Sequence, residues 1–181
     1  EYESILLIAN SIGAYFAMNA LSEEQIDRAL FISPIVNMER LITDMMMWAN
    51  VTEEELCRKK EISTEFGETL SWEYLCYVRE HPITWNVPTD ILNKKKDHLT
   101  SMKTISGFSN QTGASLTVMK SGEHWFHTEE QMEFLDHWIR ETMSIEAARA
   151  GFEESFKEAE FYNKQTQDEK HLNEILGMLE F

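Results

Sequence analysis

The sequence predicts an α/β protein with a mostly parallel sheet, a helical insertion and a helical C-terminal extension. Short uninterrupted apolar runs are typical of strands buried on both faces, and helical segments alternate with them. A longer stretch in the middle of the chain has only helical patterns. The chain has 181 residues, of which 43% are apolar, so it is long enough for one domain with a hydrophobic core.

The first two strands are indicated by residues 4–9 (SILLIA) and 29–32 (ALFI). Residues 12–21 are apolar nearly all round and predict a buried helix, which leaves Ser11 in a tight turn between strand and helix. The second strand ends at Ser33-Pro34, because the residue before a proline is biased away from the helical conformation.

Residues 38–80 form the predicted helical insertion. They are rich in methionine and aromatic side chains, and Thr52 and Glu55 have the spacing that begins a helix. An insertion of this kind either covers a site as a cap or packs on the sheet as ordinary helices.

Two further strands are indicated at residues 87–92 and 114–119. A polar stretch and a helix ended by Gly113 separate them, and the run Lys94-Lys95-Lys96 within that polar stretch is typical of a solvated loop. A last helix follows the capping pattern TEEQ at residues 128–131.

The chain divides into a domain over residues 1–144 and an acidic helical linker over residues 145–181. The linker has nine acidic side chains against four basic ones and only helical patterns, so we expect it to lead into a second unit. Because the sequence begins with Glu1, not Met, and a core strand is indicated already at residues 4–9, we expect an excerpt of a longer polypeptide that lacks its first strands.

Composition excludes several partner classes. The formal net charge of −16 repels nucleic acid and anionic lipid, and no apolar run reaches the roughly 20 residues that cross a bilayer. Cys57 and Cys76 form no C-x-x-C pair, so we expect free thiols in a cytoplasmic protein, with no metal and no cofactor.

Three residues with the chemistry of a nucleophilic site follow predicted strands. A serine nucleophile needs a base that accepts its proton and an acid that orients the base. Ser11, Asp97 and His124 each come after a strand, and in a parallel sheet those loops meet at one edge. His127 is a rival base, and Glu123, His124 and His127 are an alternative zinc set, although H-x-x-H spacing without a strong third ligand is common by chance.

The chain resembles the α/β-hydrolase superfamily over residues 4–142. The resemblance rests on the order Ser, Asp, His, on helices in the lid position, and on three stretches: ANSIG, VPTDILNKKKDHLTS and SGEHWFHTEEQMEFLDHWI. It implies the C-terminal portion of the hydrolase sheet, with Ser11 as nucleophile, His124 as general base and Asp97 as orienting carboxylate. It also implies that the backbone N–H of Ile12 supplies half of an oxyanion hole, whose other donor belongs to an upstream strand.

The chain departs from the superfamily pattern at three positions. Ala9 replaces the first glycine of the elbow, Lys94 stands where a glycine is common before the acid, and Asp90 puts a charge into an apolar strand. A hydrolase fold without catalysis, acting as a binding or scaffold module, is therefore the alternative to an enzyme.

The function we expect is hydrolysis of a carboxylic ester or similar acyl bond in a small-molecule substrate, by an esterase- or lipase-like serine hydrolase. Hydrolysis of a thioester or a C–C bond by the same three residues is a further alternative. The oligomeric state is not predicted. Residues 161–181 also weakly resemble the helical lead-in of class I S-adenosylmethionine-dependent methyltransferases, which would make the second unit a methyltransferase-like domain.

Overall fold

A computed structural model describes residues 4–120, 124 and 126–144 of the chain. Four strands form a parallel sheet in the order β1-β2-β5-β6, and β3 and β4 form a separate antiparallel pair. The elements are β1 Leu6–Asn10, α1 Ile12–Ala20, β2 Arg28–Ile32, α2 Met38–Trp48, α3 Glu53–Lys59, β3 Glu61–Ser63, β4 Thr69–Ser71, α4 Trp72–Glu80, β5 Thr89–Lys94, α5 Met102–Thr112, β6 Ser115–Met119 and a last helix, α6, at 129–144. The predicted α/β class with a parallel sheet is confirmed.

The two middle strands carry the core of the sheet. In β2 and β5, Leu30, Phe31, Ile91 and Leu92 are inaccessible to solvent, because each strand has a neighbour on both sides. The first strand differs from the expectation of burial on both faces, since Ile8 is 49% exposed. Within the part of the chain that the structure describes, β1 pairs with β2 alone and is an edge of the sheet.

The insertion is helical at α2, α3 and α4 but also contains the hairpin of β3 and β4. Ile62 pairs with Leu70 in this hairpin, and Gly67 turns the chain with a positive φ of 92°. Each strand has only three residues, which is too short for an alternating pattern to be recognised in the sequence. The hairpin was therefore not predicted.

Two hydrophobic clusters hold these layers together. One joins the insertion to the sheet side through Tyr15 of α1, with Leu56, Leu70 and Leu75 at its centre. The other fills the space between the sheet and helices α1 and α5, and Phe31 contacts Trp85 there with ring centroids 5.7 Å apart. The insertion thus has its own core, and Ile83 packs against both this core and that of the sheet.

The end of the sheet opposite to the strand carboxyl ends is held by an ion pair. Arg28 Nε donates to Asp90 Oδ2 over 2.7 Å, and a second guanidinium nitrogen lies 2.6 Å from the same oxygen. Both side chains are mostly buried, at 11% and 16% exposure. The charge of Asp90 inside an apolar strand is thereby explained, because Arg28 of the neighbouring strand compensates it.

The chain separates into two compact units at residues 133 and 134. In the second unit, residues 134–144 continue α6, where Arg140 pairs with Asp136 over 2.7 Å and Thr142 Oγ1 donates to the carbonyl of Trp138. The acidic linker and methyltransferase-like start predicted for residues 145–181 lie outside the described residues. None of the helices described is long and apolar enough to cross a membrane.

Candidate active site

Ser11 occupies a strained turn between the first strand and the first helix. β1 ends at Asn10 and α1 begins at Ile12, so one residue makes the change of direction, with φ 51° and ψ −127°. Such a conformation in a non-glycine residue costs on the order of 1–3 kcal/mol and persists only when its surroundings hold it. Here Ser11 N–H donates to the carbonyl of Ile32 over 2.9 Å, and Ile35 N–H donates to the Ser11 carbonyl over 3.0 Å.

The Ser11 side chain is directed to a histidine instead of capping its helix. A serine at this position usually accepts a hydrogen bond from the first turn, but Ser11 makes no such bond. Its Oγ lies 2.9 Å from His124 Nε2. The hydroxyl is therefore free of the local helix and donates to a residue 113 positions further along the chain.

His124 is held on its other side by Asp97. Its Nδ1 lies 2.8 Å from Asp97 Oδ2, and the two side chains are 1% and 0% exposed. With the Nδ1 proton donated to the carboxylate, Nε2 has the lone pair that accepts the Ser11 hydroxyl. The three side chains form one continuous hydrogen-bonded chain from carboxylate to hydroxyl.

The Asp97 carboxylate is fixed by its own loop. Its Oδ1 accepts the backbone N–H groups of Leu99 over 2.9 Å and Thr100 over 3.0 Å. Burial raises the pKa of this carboxyl, but the hydrogen bond with His124 and these two amides lower it more, so its pKa lies below the ordinary value. The carboxylate is therefore ionised at neutral pH and faces the imidazole as an anion.

Thr100 also ties this loop to the segment after β2, because its Oγ1 donates to the carbonyl of Pro34 over 3.1 Å. The roles of Leu99 and Thr100 were missed in the sequence. An aspartate whose side chain accepts amides two and three residues later is a recognisable turn pattern, and the stretch DHLT carries it.

The other histidines do not replace His124. His127 is exposed, and its backbone N–H donates to Gln131 Oε1. His98 is also exposed, and its ring centroid lies 6.4 Å from that of His124. Among residues 4–120, 124 and 126–144, no group of three or more His, Cys, Asp or Glu side chains could hold a metal, and Glu123 of the alternative zinc set lies outside them.

The sequence prediction was wrong for Lys94. This residue was expected in a solvated loop, but it ends β5 and its side chain is inaccessible to solvent. Its Nζ donates to Gln131 Oε1 over 3.1 Å and lies 3.7 Å from the centroid of the Phe126 ring. The neighbouring Lys95 and Lys96 are exposed, as the solvated-loop pattern predicts.

A cavity of about 330 Å³ opens beside Ser11. Its walls are mainly apolar and come from the insertion together with the segments after β1 and β2; the lining side chains include Ile35, Met38, Leu41, Ile42, Met45, Trp48, Phe66, Leu70 and Tyr74. Ile12, the first residue of α1, also lines it. The N–H of a first-turn residue has no acceptor within its own helix.

A larger cavity of about 520 Å³ lies elsewhere, between the start of α2, the end of α4 and α5. None of Ser11, Asp97 and His124 lines it. Volume alone therefore does not identify the site, and the apolar cavity next to the serine is the one that the chemistry selects.

The fold and the position of this site at the carboxyl ends of the strands define the α/β-hydrolase fold. Solved structures with the same fold include a putative hydrolase from Agrobacterium vitis S4, with a TM-score of 0.60 and 16% identity over 76% of this chain. Mouse α/β hydrolase domain-containing protein 10 has a TM-score of 0.60 and 16% identity over 79% of the chain. Est1E from Butyrivibrio proteoclasticus has a TM-score of 0.63 and 16% identity over 80% of the chain.

The chain spans 60%, 63% and 62% of the lengths of these three proteins. A further structure of Est1E, with a TM-score of 0.56 and 18% identity, has ferulic acid bound. No protein-family model matches the sequence, and no curated protein sequence is significantly similar to it.

Proposed function

We propose that this chain is the catalytic part of a serine hydrolase that cleaves a carboxylic ester or a similar acyl bond. One observation carries the proposal: the hydrogen-bonded chain from Asp97 through His124 to Ser11 ends at an apolar cavity. A buried serine with a structural role alone does not need a histidine and an ionised carboxylate behind it.

In this proposal His124 acts first as a base and then as an acid. Its Nε2 takes the Ser11 proton while Oγ attacks the carbonyl carbon and the carbonyl π electrons move to oxygen. Asp97 holds the resulting imidazolium by charge and hydrogen bond. His124 then gives the proton to the leaving alcohol, and the acyl group remains on Ser11. Water, deprotonated by the same histidine, releases the acid and restores the serine.

The Ile12 N–H is the proposed donor to the oxyanion. Each donor of this kind is worth on the order of 3 kcal/mol in comparable acyl-transfer sites. Ile12 directly follows the nucleophile, and both residues line the same cavity. A second donor is expected from another part of the polypeptide, as the resemblance implies.

The lining of the cavity favours an uncharged, largely apolar acyl group as the part of the substrate that binds there. Its lining has leucine, isoleucine, methionine and aromatic side chains, with only a few polar residues such as Glu68 and Ser71. A phosphorylated substrate would leave its charge without a basic partner among those lining side chains. Since Est1E binds ferulic acid, feruloyl esters belong beside aliphatic esters in the first substrate panel.

The test is covalent labelling of the full-length polypeptide with a fluorophosphonate, followed by peptide mass spectrometry. We expect an adduct on Ser11 that is lost in Ser11→Ala and in His124→Ala. Ser33→Ala is the matched control, because Ser33 is also buried, also follows a strand and also has a positive φ, of 44°.

Labelling of Ser11 in the wild type and in Ser33→Ala would support the hydrolase. A folded protein that gives no adduct at Ser11 would instead make this chain a non-catalytic binding or scaffold module with the hydrolase fold.

A further inference from the structure

We propose that Lys94 is a positioning residue that joins the loop of the catalytic base to the strand of the catalytic acid. The proposal rests on the proposed function and adds a residue to its machinery. Lys94 stands where the resemblance leads one to expect a glycine, so its role belongs to this chain.

The backbone of Lys94 supports the acid. It is the last residue of β5, paired with Met119 of β6, and its carbonyl accepts the N–H of Asp97 over 3.2 Å. Its φ is not among the positive values of the described residues, so the backbone at this position does not require a glycine. The side chain is consequently free to be large, and it is directed into the interior with no solvent exposure.

The side chain of Lys94 supports the segment that follows the base. Its ammonium group contacts Phe126, which is two residues after His124, and donates to Gln131 Oε1. The same oxygen accepts the backbone N–H of His127 over 3.1 Å. Gln131 thus holds the loop after His124 from one side, and Lys94 holds Gln131 and Phe126 from the other.

The positive charge of the Lys94 ammonium makes its contacts with Gln131 and Phe126 specific. A buried ammonium is costly without partners, so it remains inside only where an acceptor and an aromatic face replace its water. A hydrogen bond to a charged donor is shorter and stronger than a neutral one. A side chain that merely filled this space would not fix the position of Gln131 in the same way.

The decisive variant is Lys94→Met, which keeps an unbranched side chain one atom shorter and removes its charge and hydrogen bonds. Gln131 Oε1 retains the hydrogen bond from the His127 N–H in this variant. We expect kcat for ester hydrolysis to fall about tenfold or more, because displacement of a catalytic group by about 1 Å can cost a hundredfold. We expect KM to change less than twofold, because the apolar cavity is not altered.

Lys95→Met is the matched control, since Lys95 is the exposed neighbour in the same run of lysines. Its kcat should equal that of the wild type. Equal kcat in Lys94→Met and Lys95→Met would overturn the proposal.

A second pair of variants covers the case in which Lys94→Met does not fold. Gln131→Glu keeps an oxygen that accepts from both Lys94 and His127, whereas Gln131→Leu removes it. We expect Gln131→Glu to retain at least half of the wild-type kcat and Gln131→Leu to lose about tenfold, in line with the same displacement argument. Equal activities of the two variants would contradict the proposal.

Amide hydrogen exchange separates this proposal from the proposed function. We expect peptides that contain residues 124–131 to exchange faster in Lys94→Met than in Lys95→Met, with the rest of the chain unchanged. If the wild type neither labels nor hydrolyses esters but exchange is faster in Lys94→Met, the structural role of Lys94 would be supported and the proposed hydrolase function would be contradicted. Unchanged exchange would overturn the positioning role in either case.

Discussion

Asp97 presents one carboxylate oxygen to His124 and uses the other to accept two amides of its own loop. The orientation of the carboxylate is therefore fixed by its own loop, independently of the imidazole. We predict that Asp97→Asn lowers kcat by about 10³- to 10⁴-fold, because an amide in this place favours the wrong tautomer of the imidazole. Steady-state kinetics with a chromogenic ester measures this, with Asp136→Asn as control because the Asp136 side chain is exposed. A loss below tenfold would contradict the role given to Asp97.

The same carboxylate predicts a pH dependence of stability. Its pKa in the folded protein lies below the ordinary value of 3.8, so the ionised form stabilises the fold at pH values above that. This contribution should decrease as the pH falls through 3.8 and vanish below the lowered pKa of the folded state. Urea unfolding of the wild type and Asp97→Asn at several pH values between neutrality and this range measures it. A stability difference that grows on acidification would reverse the expected sign.

Substitutions in the ion pair of Arg28 and Asp90 are predicted to lower stability without lowering kcat. Removing one partner of a buried ion pair leaves the other charge uncompensated, which typically costs about 3 kcal/mol or more. Arg28→Met removes the partner of Asp90 and should approach this loss in urea unfolding, and the loss in the double variant with Asp90→Asn should be less than the sum of the two single losses. The exposed pair of Lys59 and Glu55 is the control, since Lys59→Met should cost about 0.5 kcal/mol or less.

Because the Arg28–Asp90 pair lies at the opposite end of the strands from Ser11, kcat per folded molecule should stay the same in these variants. Additive losses in the double variant would show that the two charges do not interact.

Gly107 within α5 and Gly113 directly after it predict opposite responses to alanine. Gly107 is in the interior of the helix, is exposed, and has open space where a Cβ would be placed. Gly107→Ala should therefore stabilise the protein by about 0.5–1 kcal/mol. Gly113 ends the helix with φ 74°, so Gly113→Ala should destabilise it by about 1 kcal/mol. Thermal unfolding of both variants checks this, and shifts of the same sign would contradict the helix boundary.

The apolar cavity predicts a limit on acyl length. Each buried methylene contributes about 0.8 kcal/mol, so kcat/KM should rise up to about fourfold per carbon until the space of about 330 Å³ is filled. p-Nitrophenyl esters of increasing length measure the point at which the rise stops. Met45→Trp should move this point to shorter chains, because Met45 lines the wall. An unchanged limit would mean that the acyl group binds elsewhere.

Much of the sheet and the three candidate site residues could be predicted because their signals are local. Apolar runs mark the strands, and Ser11, Asp97 and His124 each follow one of them at the edge where such loops meet. The apolar run of β1 was recognised as a strand, but its exposure depends on which strands lie beside it. That information is not in the run itself.

Lys94 and the hairpin escaped the sequence analysis for a different reason. Three adjacent lysines have the composition of a surface loop, and Gln131, which accepts a hydrogen bond from the buried Lys94, is 37 residues away. The hairpin strands are shorter than the period that would reveal them. For Lys94 the contact that matters is distant in sequence, and for the hairpin the strands are too short to show a pattern. The local sequence therefore does not reveal either feature.

The insertion contributes Leu70 of β4, and Phe66 between β3 and β4, to the wall of the cavity. Ser11, Asp97 and His124 all lie outside the insertion. Under the proposed function, part of the surface that accepts the acyl chain is thus encoded in a stretch of the polypeptide that contains none of the reacting groups. Residues 61–71 could be exchanged as a cassette to give enzymes with one reaction and different substrate ranges.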